Sequence, residues 1–499
     1  MQGGINYLCC ILSDYVVSCF LLMKKLCLIF LCVFLLFVPK VNVFSYEGCV
    51  FAVNPPAPGR SVLTRGLIAS GQTSLSNALL MGFNISVYHI SGGERFIWAT
   101  PNADSIRRNL TGPWQWESVD GFFVNHAGHP YQGAMYFVAG RANEFGFYQS
   151  IFFSVLGSAT WEIFFENPVA SINDFFTTVP ASVSMGEILY RLYLQAHHAG
   201  VPAVLTFLIN PMAGFHRLVT GWEPPNYGRS IYRLRYHVSM AYARTTYSLV
   251  GMQEDLFSFQ GLYATAGLRV IYGNPFTTES RTPFSHFDFA ASIGLDIGNF
   301  VDFRMISDGY LFSFSPIYSD IHRMSTGLSL HMDTISTGRF DNFELEHASA
   351  TINMYSNALN WTVKYQRFLP NNFTFETMLH AGFTFFGASV FFSPERNEEL
   401  KAYGAGFNSK LFFNLEHSRF GRLETSVFAY HFWSFPGTSD ISRGRMYWLF
   451  ADIAYFFPIT ERMSIGASGS FAFERADFSN LPNPRKHHRA ANLMLAWNF

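Results

Sequence analysis

The chain has 499 residues, of which 18% are aromatic and 14% charged, with 55 phenylalanines and a formal net charge of −1. Its charge content is little over half the ~25% of an ordinary soluble domain, which excludes a disordered chain and a coiled coil, since both need charge and few aromatics. A balanced charge also excludes a nucleic-acid binder, which needs a basic surface to displace counterions.

From Met23 the chain reads Met-Lys-Lys, then an apolar run from Leu26 to Val38, then Val43-Phe44-Ser45. This pattern predicts a secretory signal peptide cleaved after Ser45, with translation starting near Met23. The run is shorter than the ~20 residues a spanning helix needs. The alternative reading is an N-terminal anchor made from both apolar stretches of residues 1–45. All six cysteines fall within the first 49 residues. Cleavage leaves Cys49, so no disulfide framework or cysteine-based metal site is expected within one chain. A lipobox at Cys49 wants an aliphatic residue where Tyr46 stands.

Residues 46–113 form a loosely patterned segment in which Arg60 to Val87 suits a strand or a short helix. Residues 114–228 change to helical spacing. Gly133–Arg141, Phe147–Glu166, Ser184–His197 and Pro202–Leu218 are the predicted helices, and Pro180, Pro202 and the Asn210-Pro211 pair are expected to break or kink the chain. The most apolar run, Ile151 to Phe165, contains Glu162 and is no persuasive membrane span.

Polar residues punctuate this region in a recognisable order. Trp114-Gln115-Trp116-Glu117 leads to Asp120, Asn125, His129-Pro130, Gly133, Tyr136 and Arg141, followed by Ser158, Trp161-Glu162, Glu166, Ser171, Asp174, Thr177-Thr178, Gly186-Glu187 and Arg191. The order resembles the bacterial outer-membrane family catalogued as domain of unknown function 3943, over roughly residues 110–200. Glu117 stands where the family favours Asp, and Pro180-Ala181-Ser182 where a glycine-rich stretch is typical. The resemblance implies a helical polar-motif region ahead of an outer-membrane barrel, and implies no activity.

Taken by themselves, Glu162 and Glu166 share a helix face, and Glu187 and Arg191 have the acid-first spacing of an ion pair. His129, Glu162, Glu166 and Asp174 are the catalytic candidates, since paired carboxylates with a histidine suit acid–base work on a lipid headgroup. The competing reading is a structural network of Asn125, Arg141, Trp161, Glu187 and Arg191 that holds apolar helices in register, because buried carboxylates need partners. No Glu-x-x-His repeat, phosphate loop, dinucleotide fingerprint or calcium loop occurs. No cofactor or metal is therefore expected. His487-His488 reads as part of a polar loop.

From about residue 229 the pattern becomes period two, with Tyr232, Leu234, Tyr236, Val238 and Met240 alternating with Arg233, Arg235, His237 and Ser239. Similar alternation through Phe499 predicts an all-β transmembrane barrel of about 12 antiparallel strands. Ser356-Asn357 reads as a tight turn. The inward face would carry Arg233, Arg235, His237, Arg323, His331, Asp333, Glu376, His380, Lys410 and Glu416, whose mixed signs argue against a strongly ion-selective pore. Leu493, Leu495, Trp497 and the terminal Phe499 share one face and resemble the targeting signal read by the barrel-assembly machinery.

These readings place the chain in the outer membrane, with membrane lipid and the assembly machinery as partners. Three functions stay open: a narrow channel plugged or gated by its helical region and passing a small or apolar solute or lipid; a lipid-modifying enzyme using His129 and the carboxylates; and a structural or surface protein.

Overall fold

The computed structural model describes residues 60–90, 100–116, 121–228, 230–251, 255–276, 282–295, 300–339, 351–393, 398–435, 443–479 and 483–499. The predicted leader, Cys49, Glu117 and Asp120 lie outside these residues. The chain divides into two compact units: a helical one with described residues 60–90, 100–116 and 131–227, and a barrel unit with 121–130 and 228–499.

The helices are α1 (Val62–Ile90), α2 (Ala103–Thr111), α3 (His129–Ala142), α4 (Phe147–Phe164), α5 (Ile172–His198), α6 (Ala203–Ile209) and α7 (Pro211–Thr220). Among the described residues, no helix is long and apolar enough to cross a membrane. Most of 60–87, ambiguous in sequence, belongs to one helix of 29 residues, Val62–Ile90, whose apolar side chains are spread around the axis, so no stripe betrays it. Several starts are capped by side chains. Asn102 Oδ1 accepts from the amides of Asp104 and Ser105, Ser171 Oγ from that of Asp174, and Asn210 Oδ1 from that of Ala213.

The Asn210-Pro211 pair does end one helix and start the next, with Pro211 at the first position of α7, where its missing N–H costs nothing. Pro180 does not break the chain: α5 runs straight through it. Ser182 Oγ donates to the Val179 carbonyl at 2.6 Å, and most of α5 from Ala181 to Leu194 is buried. Packing therefore outweighs the lost backbone bond.

The barrel unit is a closed ring of twelve antiparallel strands in chain order, with β1 sealing against β12. They are β1 (Ile231–Leu249), β2 (Phe257–Tyr272), β3 (Phe287–Leu295), β4 (Phe300–Tyr318), β5 (His322–Arg339), β6 (Ile352–Leu369), β7 (Phe373–Ser393), β8 (Glu398–His417), β9 (Gly421–Ser434), β10 (Gly444–Pro458), β11 (Met463–Phe478) and β12 (Pro484–Asn498). The seam carries the C-terminus: Tyr236 faces Trp497, and Leu234 and Phe499 exchange backbone hydrogen bonds at 3.0 and 2.8 Å. Connections 319–321, 370–372, 418–420 and 459–462 gather at the end where β1 begins and β12 finishes, hereafter the turn end.

Burial is inverted relative to a water-soluble protein. Met240, Leu262, Trp361, Phe383, Phe407, Ile453 and Leu493 are exposed on the outer face, whereas Ser329, His331, Asp333, Lys410 and Glu474 are buried inside. A closed ring with an apolar exterior and a polar interior is the sheet architecture that satisfies every backbone group within lipid. The chain is a transmembrane β-barrel.

Two sequence readings need correction here. Ser356 and Asn357 lie inside β6, which passes them with only a register shift against β7. Both are buried and hydrogen-bonded, Ser356 to Thr384 at 3.0 Å and Asn357 to Tyr355 at 2.8 Å, so their polarity serves the wall and makes no turn. His487 and His488 belong to β12 rather than to a loop.

Residues 121–130 also depart from expectation. They contain a π-helical turn, Val124–Gly128. The His126 ring stacks on Tyr355 at 4.5 Å, its carbonyl accepts from Thr334 Oγ1 at 2.9 Å, and Phe123 meets Phe303 edge-on at 5.5 Å. Tyr355 shares its parity on β6 with the exposed Leu359 and Trp361. This segment, which carries Asn125 and His129, thus lies against the outer wall and not in the lumen.

Candidate functional site

Alternation along each strand delivers one side chain in two to the lumen, and the inward set is rich in charge. Because the ring has twelve members, β1 lies opposite β7 and β4 opposite β10. Arg304 on β4 nevertheless reaches Asp452 on β10 at 3.0 Å, and Arg233 on β1 lies 3.8 Å from Glu376 on β7. His488 on β12 bridges Thr245 of β1 at 2.9 Å and Thr337 of β5 at 3.2 Å. Lys486 Nζ pairs with Glu474 at 3.1 Å and donates to the Thr351 carbonyl at 2.6 Å. At these levels side chains from opposite strands meet across the bore.

Midway along the wall, Lys410 on β8 contacts Asp333 on β5 at 2.5 Å, and Tyr430 on β9 donates to the same carboxylate at 2.9 Å. Both ions are almost wholly buried, so each depends on the other for its solvation. Beside them, Ser329 bonds His331 Nε2 at 2.7 Å, and Thr362 bonds His380 Nδ1 at 2.7 Å. Beyond these lies an apolar layer that includes Ile335, Met354, Phe391, Phe428, Phe432 and Trp448. Polar pairs and aromatic rings together fill the interior.

At the turn end the packing leaves a small cavity of about 50 Å³. Its apolar lining includes Ile271, Phe276, Met378 and Phe412, and its polar lining Arg233, Arg269, His286, Asp288, Lys364 and Glu376. The charges are paired: Arg269 forks onto Asp288 at 3.0 and 2.6 Å, and Lys364 contacts Asp308 at 3.2 Å. A cavity of this size has room for a few waters between the paired charges.

The remaining inward candidates divide among these contacts. Arg235 pairs with Glu424 at 2.8 Å, with Arg422 at 2.9 Å from the same carboxyl group. Arg323 lies over the rings of Tyr318 and Phe368 at 5.2 and 4.7 Å. The His237 ring packs where a side chain on Gly267 would stand. Arg304, Asp452, Glu424 and Lys486 escaped the sequence reading. Only their inward parity marked them, and no pattern says which charge meets which across a ring.

In the helical unit the polar motif residues bond to one another and to nearby backbone. Glu162 accepts the Ser171 amide at 2.8 Å, and Glu166 accepts the Trp161 indole N–H at 2.6 Å. Asp174 accepts from Asn173 Nδ2 at 2.8 Å at the start of α5. Glu187 binds Arg141 and Arg191, each at 2.8 Å. Burial opposes the Arg141 charge, yet Glu187 outweighs it and holds the guanidinium above its usual range. His129 belongs to the other unit.

Residues 113–212 match the family model of the domain of unknown function 3943. The match begins at the Trp114-Gln115-Trp116 element and ends inside α7. No curated protein matches the chain. Among solved structures, the chain is similar to an outer membrane channel from Pseudomonas putida F1, at 10% identity over 56% of this chain and 100% of that one, TM-score 0.27. A FadL homologue from Pseudomonas aeruginosa gives 9% identity, 53% and 90% coverage and TM-score 0.25. The toluene transporter TodX of Pseudomonas putida gives 7%, 56% and 92%, with TM-score 0.22. Likenesses this distant carry no functional weight.

Proposed function

We propose that this protein is an outer-membrane channel whose lumen is closed at rest by its own side chains, and which passes a small or apolar solute when those contacts yield. The observation that carries the reading is the contact between opposite strands, above all Arg304 to Asp452 at 3.0 Å. An ion pair that reaches across a ring shuts it, and charged pairs can exchange partners where a packed apolar core cannot. Closure of this kind needs no helix in the lumen.

Placement in the outer membrane is supported by the exposed apolar band, the leader expected in residues 1–45, and the alternating Leu493, Leu495, Trp497 and Phe499 at the seam strand. Membrane lipid would bathe the outer face, and the barrel-assembly machinery would read that last strand.

The test is swelling of proteoliposomes in isosmotic sugar. Liposomes carrying the refolded full chain should swell no faster than empty ones. The Arg304→Ala/Asp452→Ala double variant should swell several-fold faster. Rapid swelling with the unaltered chain, or no gain in the folded variant, would argue against closure by these pairs.

A further inference from the structure

We infer that the lumen holds a site for a divalent transition metal, built from Asp308 on β4, His331 on β5 and His380 on β7. One possible donor atom from each residue lies within 4.8 Å of one from each of the others, and all three residues are buried. They come from separate strands, with Asp308 directly opposite His331 in register and His380 opposite Thr362 of the strand between. Two imidazoles and one carboxylate form a donor set suited to zinc, cobalt, nickel or copper rather than to magnesium or calcium.

The surroundings are what single this group out. A ligating imidazole has its second nitrogen held by a hydrogen bond, which fixes the tautomer and aims the ring. Both rings have that support. Ser329 Oγ holds His331 Nε2 and Thr362 Oγ1 holds His380 Nδ1, each at 2.7 Å, and the two hydroxyls bond each other at 2.5 Å. His331 Nδ1, in a side chain with no exposed surface, has no hydrogen-bond partner among the described residues. A buried nitrogen in that state costs stability unless something binds it. Nδ1 of His331 and Nε2 of His380 are thus the nitrogens left to ligate. The rings stand 4.8 Å apart at 76°, an edge-on arrangement in which one ring does not cover the other's face.

Lys364 is the competing cation, 3.2 Å from Asp308 Oδ2 and 2.7 Å from His286 Nε2. A carboxylate has a second oxygen to give, so the ammonium and a metal can share Asp308. Bound metal would tie β4, β5 and β7 together beside the Lys410–Asp333 pair. The inference stands apart from the channel reading, because it concerns binding and not flow.

The experiment refolds the full chain in detergent with Co²⁺, removes excess ion by desalting, and records visible absorption and cobalt content. About one retained cobalt per chain with d–d bands is expected. His331→Gln and His380→Gln, each verified as a folded barrel by heat-modifiable migration, should lose the bands and the retained cobalt. His431→Gln, at the ring pair with Tyr447 elsewhere on the wall, should keep both. Absence of the bands in the folded full chain would overturn the inference. So would bands that survive both glutamine substitutions, since the ion would then sit elsewhere.

Discussion

Glu187 has no exposed surface and answers two guanidinium groups, Arg141 from α3 and Arg191 one turn further along α5. Removing it leaves two cations in a poorly solvated place, and breaking such a buried pair costs about 3–5 kcal/mol. Glu187→Leu should therefore strip protection from α3 and α5 amides in hydrogen exchange while the barrel amides stay protected. Unchanged helix protection would mean that the arginines find water or other acceptors. His216 supplies a pH-sensitive counterpart. Its Nδ1 lies 2.9 Å from Gln72 Nε2 and its ring meets Trp222 at 5.4 Å. Burial, with Arg60 adding to it, pulls its pKa from 6.5 to about 4. A group depressed in the fold binds its proton more readily when unfolded. Its contribution is thus complete at neutral pH and is lost as pH falls from 6.5 towards 4. Thermal unfolding of the helical unit should decline through that window, and His216→Gln should flatten the decline. An identical slope in the variant would assign the pH dependence to another group.

Among the elements, helix packing depends on absent side chains. A Cβ on Gly157 of α4 would enter the Tyr136 ring of α3. That ring is anchored by its hydroxyl, which donates to Asn77 and accepts from Gln132, so it has little freedom to move aside. Gly157→Ala gains up to ~1 kcal/mol of helix propensity but overpacks by about 1–3 kcal/mol, and a net loss is expected in chemical unfolding. A stabilised variant would show that the ring does yield. In the barrel, Lys410→Met should lower the temperature of heat-modifiable unfolding sharply, because Asp333 keeps only Tyr430 as a partner. Lys410→Met/Asp333→Leu should recover most of the loss. A double variant as weak as the single one would show that the pair contributes more than mutual neutralisation.

The strands were the legible elements, because large apolar residues outside alternate with small or polar ones inside, and a period of two survives inspection. Their loop-side ends were not, since polar residues such as Ser356, Asn357 and His487 look like turns until neighbouring strands supply their partners. α1 hid because its apolar residues ring the axis. Of the site, the sequence disclosed which side chains face inward, but not their pairing. Arg304 and Asp452 stand 148 residues apart, and only closure of the ring brings them together. The spacing of Glu162, Glu166 and Asp174 suits either acid–base chemistry or a structural network, and it does not disclose their hydrogen bonds at the ends of α4 and α5.

Two facts meet in the whole molecule: an apolar outer wall that demands lipid, and an interior crossed by bonds between opposite strands. A twelve-stranded ring is narrower than the 16–18 strands of an aqueous porin, and Arg304–Asp452, Arg233–Glu376 and the aromatic layer take up what room remains. The channel would open only when those contacts exchange. Single-channel recording of the refolded full chain in planar bilayers tests this most directly. A silent baseline is expected from the unaltered chain, and discrete open steps from Arg304→Ala/Asp452→Ala. Steady, porin-sized conductance from the unaltered chain would contradict it.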